Sequence, residues 1–233
     1  MESANKHWYF KWWGIGILFI LLLFLIIFTA SAFYIADLIK RGGLNQPGAD
    51  NTSLGQTVTS DEMKFIEGDG TNFWLGSPEA KIKIIQFADF GCPYCAAAFT
   101  TLREISSNYK NDVKITFRDY PTVTGQSVEL AMAARCAGEQ GLFWPMHDKL
   151  FIQQGVAGRE NLIALAKQIG ADTSRFTACL DQEKYLSAIE KDLIDGQKLE
   201  ITGTPTWFIN GNRVEGNIPY ETFIQIIERF LNN

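Results

Sequence analysis

The chain has 233 residues, 46% of them hydrophobic, and a formal net charge of −5. That is enough apolar material for one ordinary domain plus appendages, and the mildly acidic balance excludes an electrostatic nucleic-acid binder. The four cysteines (Cys92, Cys95, Cys136, Cys179) have no second C-x-x-C and no nearby histidine among His7 and His147, which argues against a four-ligand zinc site. The Trp and Phe content reads as core and membrane interface, so neither a metal nor a cofactor is expected.

Residues 1–13 read as a short N-terminal tail ending in Trp8, Tyr9, Trp12 and Trp13, an interfacial aromatic belt. Gly14 to Ala36 carry no charged side chain, and about 23 apolar residues suffice to cross a bilayer as a helix. Two readings stay open: an uncleaved anchor, or a signal peptide cut near Ala30-Ser31-Ala32. Lys6 and Lys11 before the span nearly balance Lys40 and Arg41 after it. The amino terminus and the preference of disulfides for oxidising compartments place the tail in the cytoplasm and the rest outside the cell membrane as a single-pass protein. Residues 37–60 turn to Gly, Asn, Gln, Thr and Ser, a flexible linker. The folded domain is expected over 61–233.

Within that domain Ile82 to Ala88 is an apolar run bounded by Ser77-Pro78 and Gly91, suited to a strand buried on both faces. It runs into Gly91-Cys92-Pro93-Tyr94-Cys95 and a helix predicted to about Tyr109. Pro93 suits the first helical position. Cys92 then falls at the N-cap, where free amides and the helix dipole favour a thiolate. The pair reads as redox-active, with Cys92 the exposed attacking sulfur and Cys95 the more buried resolving thiol. The alternative is a short structural disulfide or an inert buried pair. Val113, Ile115 and Phe117 alternate with polar residues as a second strand, and residues from about 126 to 199 read as a helical insertion. Asn210-Gly211 between two strand-like runs signals a hairpin. Pro219 precedes a last helix with Phe223, Ile226, Ile227, Phe230 and Leu231 on one face. His147 is expected to be a satisfied structural histidine.

The order β-α-β, helices, β-β, α is that of an α/β thioredoxin fold with a helical insertion. From Phe73 onward the chain resembles the DsbA-like thiol:disulfide oxidoreductases, in their membrane-anchored branch. The resemblance rests on Leu75-Gly76-Ser77-Pro78-Glu79-Ala80, Phe87-Ala88-Asp89-Phe90-Gly91-Cys92-Pro93-Tyr94-Cys95, Phe117-Arg118-Asp119-Tyr120-Pro121, Phe143-Trp144-Pro145-Met146-His147-Asp148 and Gly203-Thr204-Pro205-Thr206, in that order. It implies that Thr204-Pro205 is a cis-proline loop facing the cysteines and pairing with substrate. It implies that the Pro93-Tyr94 dipeptide tunes the couple. Some strongly oxidising relatives carry a histidine there, so a weaker oxidant is expected here. It further implies a second, non-catalytic disulfide between Cys136 and Cys179, with free thiols or a second redox couple as alternatives. Many relatives have an acidic residue six before the first cysteine. Here that position is Gln86, and Asp89 is the nearest carboxylate in sequence, so the proton acceptor is open.

Taken together, the sequence predicts a protein disulfide oxidoreductase, an oxidase that donates a Cys92–Cys95 disulfide to reduced exported proteins. The resemblance implies reoxidation by a quinone-coupled membrane partner of the DsbB or vitamin-K-epoxide-reductase type, served with the substrates by an apolar groove beside Cys92. The alternatives are a reductase or isomerase, and a non-catalytic tethered binding or metallochaperone domain.

Overall fold

The computed structural model describes residues 8–41 and 58–232, with side chains described over 14–34 in the first helix. The chain divides into two compact units. Among its described residues the first contains one helix, α1 (Trp8–Arg41). Its stretch Ile15–Tyr34 is apolar and none of it is buried, and 20 residues at 1.5 Å each span about 30 Å, the thickness of a bilayer's hydrocarbon core. Residues 37–41, assigned to the linker on composition, are helical. Polar composition does not end a helix, and Leu38 to Arg41 are adequate helix formers until Gly42-Gly43. Linker residues 42–57 and tail residues 1–7 lie outside the described residues. Val58, Thr59 and Ser60, also assigned to the linker, belong to the folded domain: Val58 bonds to Gly211 and Thr59 caps the helix that starts at Ser60.

The second unit is built on a sheet of order β1-β3-β2-β4-β5. Its central strand β2 (Ile82–Ala88) runs parallel to β3 (Val113–Asp119) and antiparallel to β4 (Thr206–Ile209). The edges are β1 (Trp74–Gly76) and β5 (Asn212–Glu215), both antiparallel to their neighbours. Side chains alternate between faces along a strand, and the packing follows. Ile82, Ile84, Val113, Ile115, Trp207 and Ile209 meet α3 (Pro93–Asn108) and α9 (Tyr220–Leu231) on one face. Ile85, Phe87 and Phe208 meet α2 (Ser60–Glu67) through Ile66, and Leu199 and Ile201, on the other. Phe223, Ile226 and Ile227 of α9 are fully buried, each worth about 1.5–3 kcal/mol.

Between β3 and β4 lies the helical insertion: α4 (Ser127–Gly138), α5 (Phe143–Ile152), α6 (Arg159–Gln168), α7 (Thr173–Asp181) and α8 (Leu186–Lys198). Its core is continuous with Phe90, Cys92 and Cys95. The β4–β5 turn is Asn210 at φ 46° and Gly211 at φ 80°, the left-handed pair a two-residue hairpin requires. Two elements were not predicted. One is β1, only three residues long. The other is α2, which starts on a Thr59–Glu62 capping box in which the Thr59 hydroxyl accepts the Glu62 N–H and the Glu62 carboxylate accepts the Thr59 N–H.

Candidate active site

β2 ends at Ala88, and the chain turns within four residues to begin α3 at Pro93. The turn closes by a bond from the Cys92 N–H to the Asp89 carbonyl, 3.0 Å. Cys92 is the N-cap of α3, with extended backbone (φ −84°, ψ 122°) and proline just inside the helix, as predicted. Both cysteines are free thiols. Cys95 is fully buried and Cys92 only 3% exposed. The expectation of an exposed Cys92 is therefore corrected. The loop before β4 stands over the sulfur, and the Cys92 thiol donates to the Thr204 carbonyl at 3.2 Å.

The thiol of Cys92 is pushed down to about 5, chiefly because the Cys95 thiol donates to its sulfur. Burial works the other way, and the Thr204 side chain and the amides of Cys95 and Tyr94 reinforce the lowering. The helix-end amides, expected to dominate, come last. Burial, and then the neighbouring Cys92 sulfur, push the thiol of Cys95 far up. The Thr204 hydroxyl is buried without a partner when Cys92 is a thiol. On ionisation it is free to turn and donate to the thiolate, which accounts for its sign. The Thr204–Pro205 peptide bond is cis.

Gln86 is buried, and its side-chain oxygen has no partner. Two residues from Ile84 and Ala88, it lies on the face that carries α3. Asp89 does not substitute for a carboxylate there. Its side chain is committed to backbone N–H groups of Gly91, Thr122 and Val123 at 2.7, 2.8 and 2.7 Å. Tyr94, Val123, Val128 and Ile152 are exposed apolar side chains. Val123 belongs to the loop held by Asp89, and Ile152 precedes Gln154, whose amide donates to the Phe90 carbonyl. A cleft of about 370 Å³ begins at Gly125 and Val128 and runs between α4, α7 and α8 over Met132, Leu180 and Leu186.

Cys136 and Cys179 form a disulfide joining α4 to α7. His147 is buried among Phe90, Phe117, Trp144 and Phe151, and burial pushes its pKa down. It is only half satisfied. Nδ1 faces Asp148 at 3.0 Å, while Nε2 has no partner. A charged cluster at the end of β3 was missed by the sequence reading. Buried Arg118 donates to Asp192, Asp195 and the carbonyls of Phe65 and Ile66, and buried Arg135 donates to Asp119, Asp192 and Asn72. The partners lie 16 to 77 residues apart, so no local spacing announces them. Among the described residues no group of His, Cys, Asp and Glu is arranged to hold a metal ion.

Residues 68–229 match the family described as thioredoxin. Among solved structures the chain is similar to oxidised BdbD from Bacillus subtilis, at 26% identity and a TM-score of 0.62 over 69% of this chain and 92% of that one. The thiol-disulfide exchange protein alpha-DsbA2 from Wolbachia pipientis gives 20% identity and a TM-score of 0.67, over 73% and 92%. The catalytic domain of Proteus mirabilis ScsC gives 21% and 0.67, over 74% and 96%. These last two speak to fold alone. A Na(+)/H(+) antiporter NhaA from Herminiimonas arsenicoxydans is 31% identical over 153 residues, which is 66% of this chain and 24% of that protein. NhaA 1 from Salinispora arenicola is 35% identical over 63% and 22%, so the chain spans about a quarter of the length of these curated relatives. With a C-P-Y-C turn on the first turn of α3, a cis-proline loop against its sulfur and a family profile matching residues 68–229, the chain belongs to the thioredoxin family.

Proposed function

We propose that the protein is a membrane-anchored, extracytoplasmic oxidase that donates a Cys92–Cys95 disulfide to reduced exported proteins. The observation that carries this reading is the asymmetry between the sulfurs, with Cys92 pushed down to about 5 and Cys95 pushed up. A stabilised Cys92 thiolate stabilises the reduced protein, and so makes the disulfide a better oxidant. At pH 7 a thiol of pKa about 5 favours the reduced form by roughly 100-fold over an ordinary thiol, about 60 mV for a two-electron couple.

In the oxidised protein a substrate thiolate attacks the Cys92 sulfur. An intermolecular sulfur–sulfur bond forms, the Cys92–Cys95 bond breaks, and Cys95 leaves and takes up a proton. A second substrate thiolate then attacks the substrate sulfur of the mixed disulfide and expels the Cys92 thiolate. Two electrons pass from the substrate dithiol to the protein. With Gln86 on the α3 face and Asp89 occupied, water supplies the proton for Cys95. The exposed Tyr94, Val123, Val128 and Ile152 offer an unfolded chain apolar contacts beside the cysteines. The same surface suits a membrane reoxidant, and α1 suits an anchor.

Equilibration of the full-length chain in detergent with glutathione buffers tests the direction of electron flow. A potential between about −120 and −200 mV is expected of an oxidant, and a value near −270 mV would make the protein a reductase. The Cys92→Ser variant should lose all oxidation of a reduced, unfolded substrate.

A further inference from the structure

We propose that Asp89 is a positioning residue for the Cys92–Cys95 pair: its carboxylate clamps the active-site turn to the Thr122–Val123 loop, and that clamp sets the pair's redox equilibrium. The inference rests on the function proposed above, because it concerns the same two sulfurs.

The parallel ladder of β2 and β3 ends in a bond from the Tyr120 N–H to the Ala88 carbonyl, 2.8 Å. Beyond it the two chains diverge, one into α3 and the other toward α4. The Asp89 side chain continues the pairing where the backbone cannot. One oxygen accepts the Gly91 N–H at 2.7 Å, two residues on; the other accepts the N–H groups of Thr122 and Val123 at 2.8 and 2.7 Å, over thirty residues on. All three partners donate, and the residue is only 1% exposed. A carboxylate, which only accepts, fits this set. An amide of the same shape would set its own N–H₂ against an N–H.

Contact across the clamp is close. A Cβ on Gly91 would lie 2.8 Å from Thr124 Oγ1 and 3.0 Å from Ser127 Oγ, so the turn and the loop leave no room for a methyl group. The backbone of the same aspartate governs both sulfurs. Its carbonyl receives the Cys92 N–H at 3.0 Å, and its backbone favours the Cys95 thiolate, against the larger effect of burial. Releasing the carboxylate therefore loosens both sulfurs relative to one another. The donors aligned on the Cys92 thiolate, the Cys95 thiol above all, then stabilise it less.

The sign of the effect separates a clamp from a charge. Removing a negative charge alone would favour the thiolate and make the disulfide more oxidising. Loss of the clamp does the reverse. In full-length protein in detergent, Asp89→Asn is expected to shift the equilibrium with glutathione about tenfold toward the disulfide, roughly 30 mV more negative, and to raise the Cys92 titration followed by ultraviolet thiolate absorbance. Gly91→Ala, which keeps every charge and presses the turn off the loop, should move both readings in the same direction by a smaller amount. An active wild type whose Asp89→Asn and Gly91→Ala variants titrate and equilibrate as it does overturns this inference alone. So does a shift of Asp89→Asn toward a stronger oxidant with Gly91→Ala unmoved. Should Asp89→Asn not fold, Gly91→Ala decides by the same two readings. A wild-type pair inert to glutathione overturns the proposed function, and this inference with it.

Discussion

Cys92 and Cys95 stand one helical turn apart, yet the first is pushed down to about 5 and the second far up. Mutual hydrogen bonding and burial produce this split, because the sulfur nearer the surface accepts from the one beneath it. Iodoacetamide alkylation of the reduced protein should therefore rise through a midpoint near pH 5, with Cys95 unlabelled up to pH 8. Stability follows from the same shift. A thiol in the unfolded chain titrates near 8.5, so between about pH 5 and 8.5 the folded reduced form has released a proton that the unfolded form still holds. The reduced protein should gain stability relative to its oxidised form as pH rises across that window, and lose the gain as pH falls through about 5. Denaturant unfolding of both redox forms at pH 5 and 8 measures it, and equal differences at the two pH values would refute the assignment. The position of the pair was legible from Pro93 and the apolar run before it. The role of Asp89 as acceptor of three N–H groups and that of Cys95 as donor to the Cys92 sulfur were not, since spacing does not say where a side chain points.

At the scale of elements, the strands and helices that carry a clear period or a turn signal were legible: β2, β3, α3, the Asn210-Gly211 hairpin and α9. The helix α2 was hidden in a polar stretch, although Thr59 and Glu62 at N-cap and N3 were a readable start signal. β1 is too short for alternation to show. What fastens these elements was unreadable, because Arg118 and Arg135 find their carboxylates on helices far along the chain. Asp192 of α8 is the shared member, accepting from Arg118, from Arg135 and from the Asp119 N–H. Removing one partner of a buried ion pair strands the other. Asp192→Ala should destabilise the domain by about 3–5 kcal/mol, read as a lowered denaturant midpoint. A loss below about 1 kcal/mol would place the cluster with surface pairs. Phe117-Arg118-Asp119-Tyr120-Pro121 served the sequence reading only as a resemblance; in the fold it is the root of that cluster.

For the molecule as a whole, the insertion is bound to itself by Cys136–Cys179, which closes a separation of 43 residues. On loop entropy such a crosslink stabilises by about 4 kcal/mol, less any strain. The Cys136→Ser, Cys179→Ser double variant should lose about that much stability while its Cys92–Cys95 pair still exchanges with glutathione. Abolished exchange in a folded double variant would make the bridge a working redox couple. The order of elements, the insertion and the fold they form were legible in the sequence. The limits of α1 were not, since composition and helix ends need not coincide.

One small bond near the start of the domain has a long reach. The Val58 N–H donates to the Gly211 carbonyl at 3.2 Å, on the hairpin beside Lys83, whereas Cys92 lies past the opposite end of β2. Five strand residues, about 17 Å, separate the two ends. The described start of the domain is thus tied to the sheet at the end opposite the sulfurs.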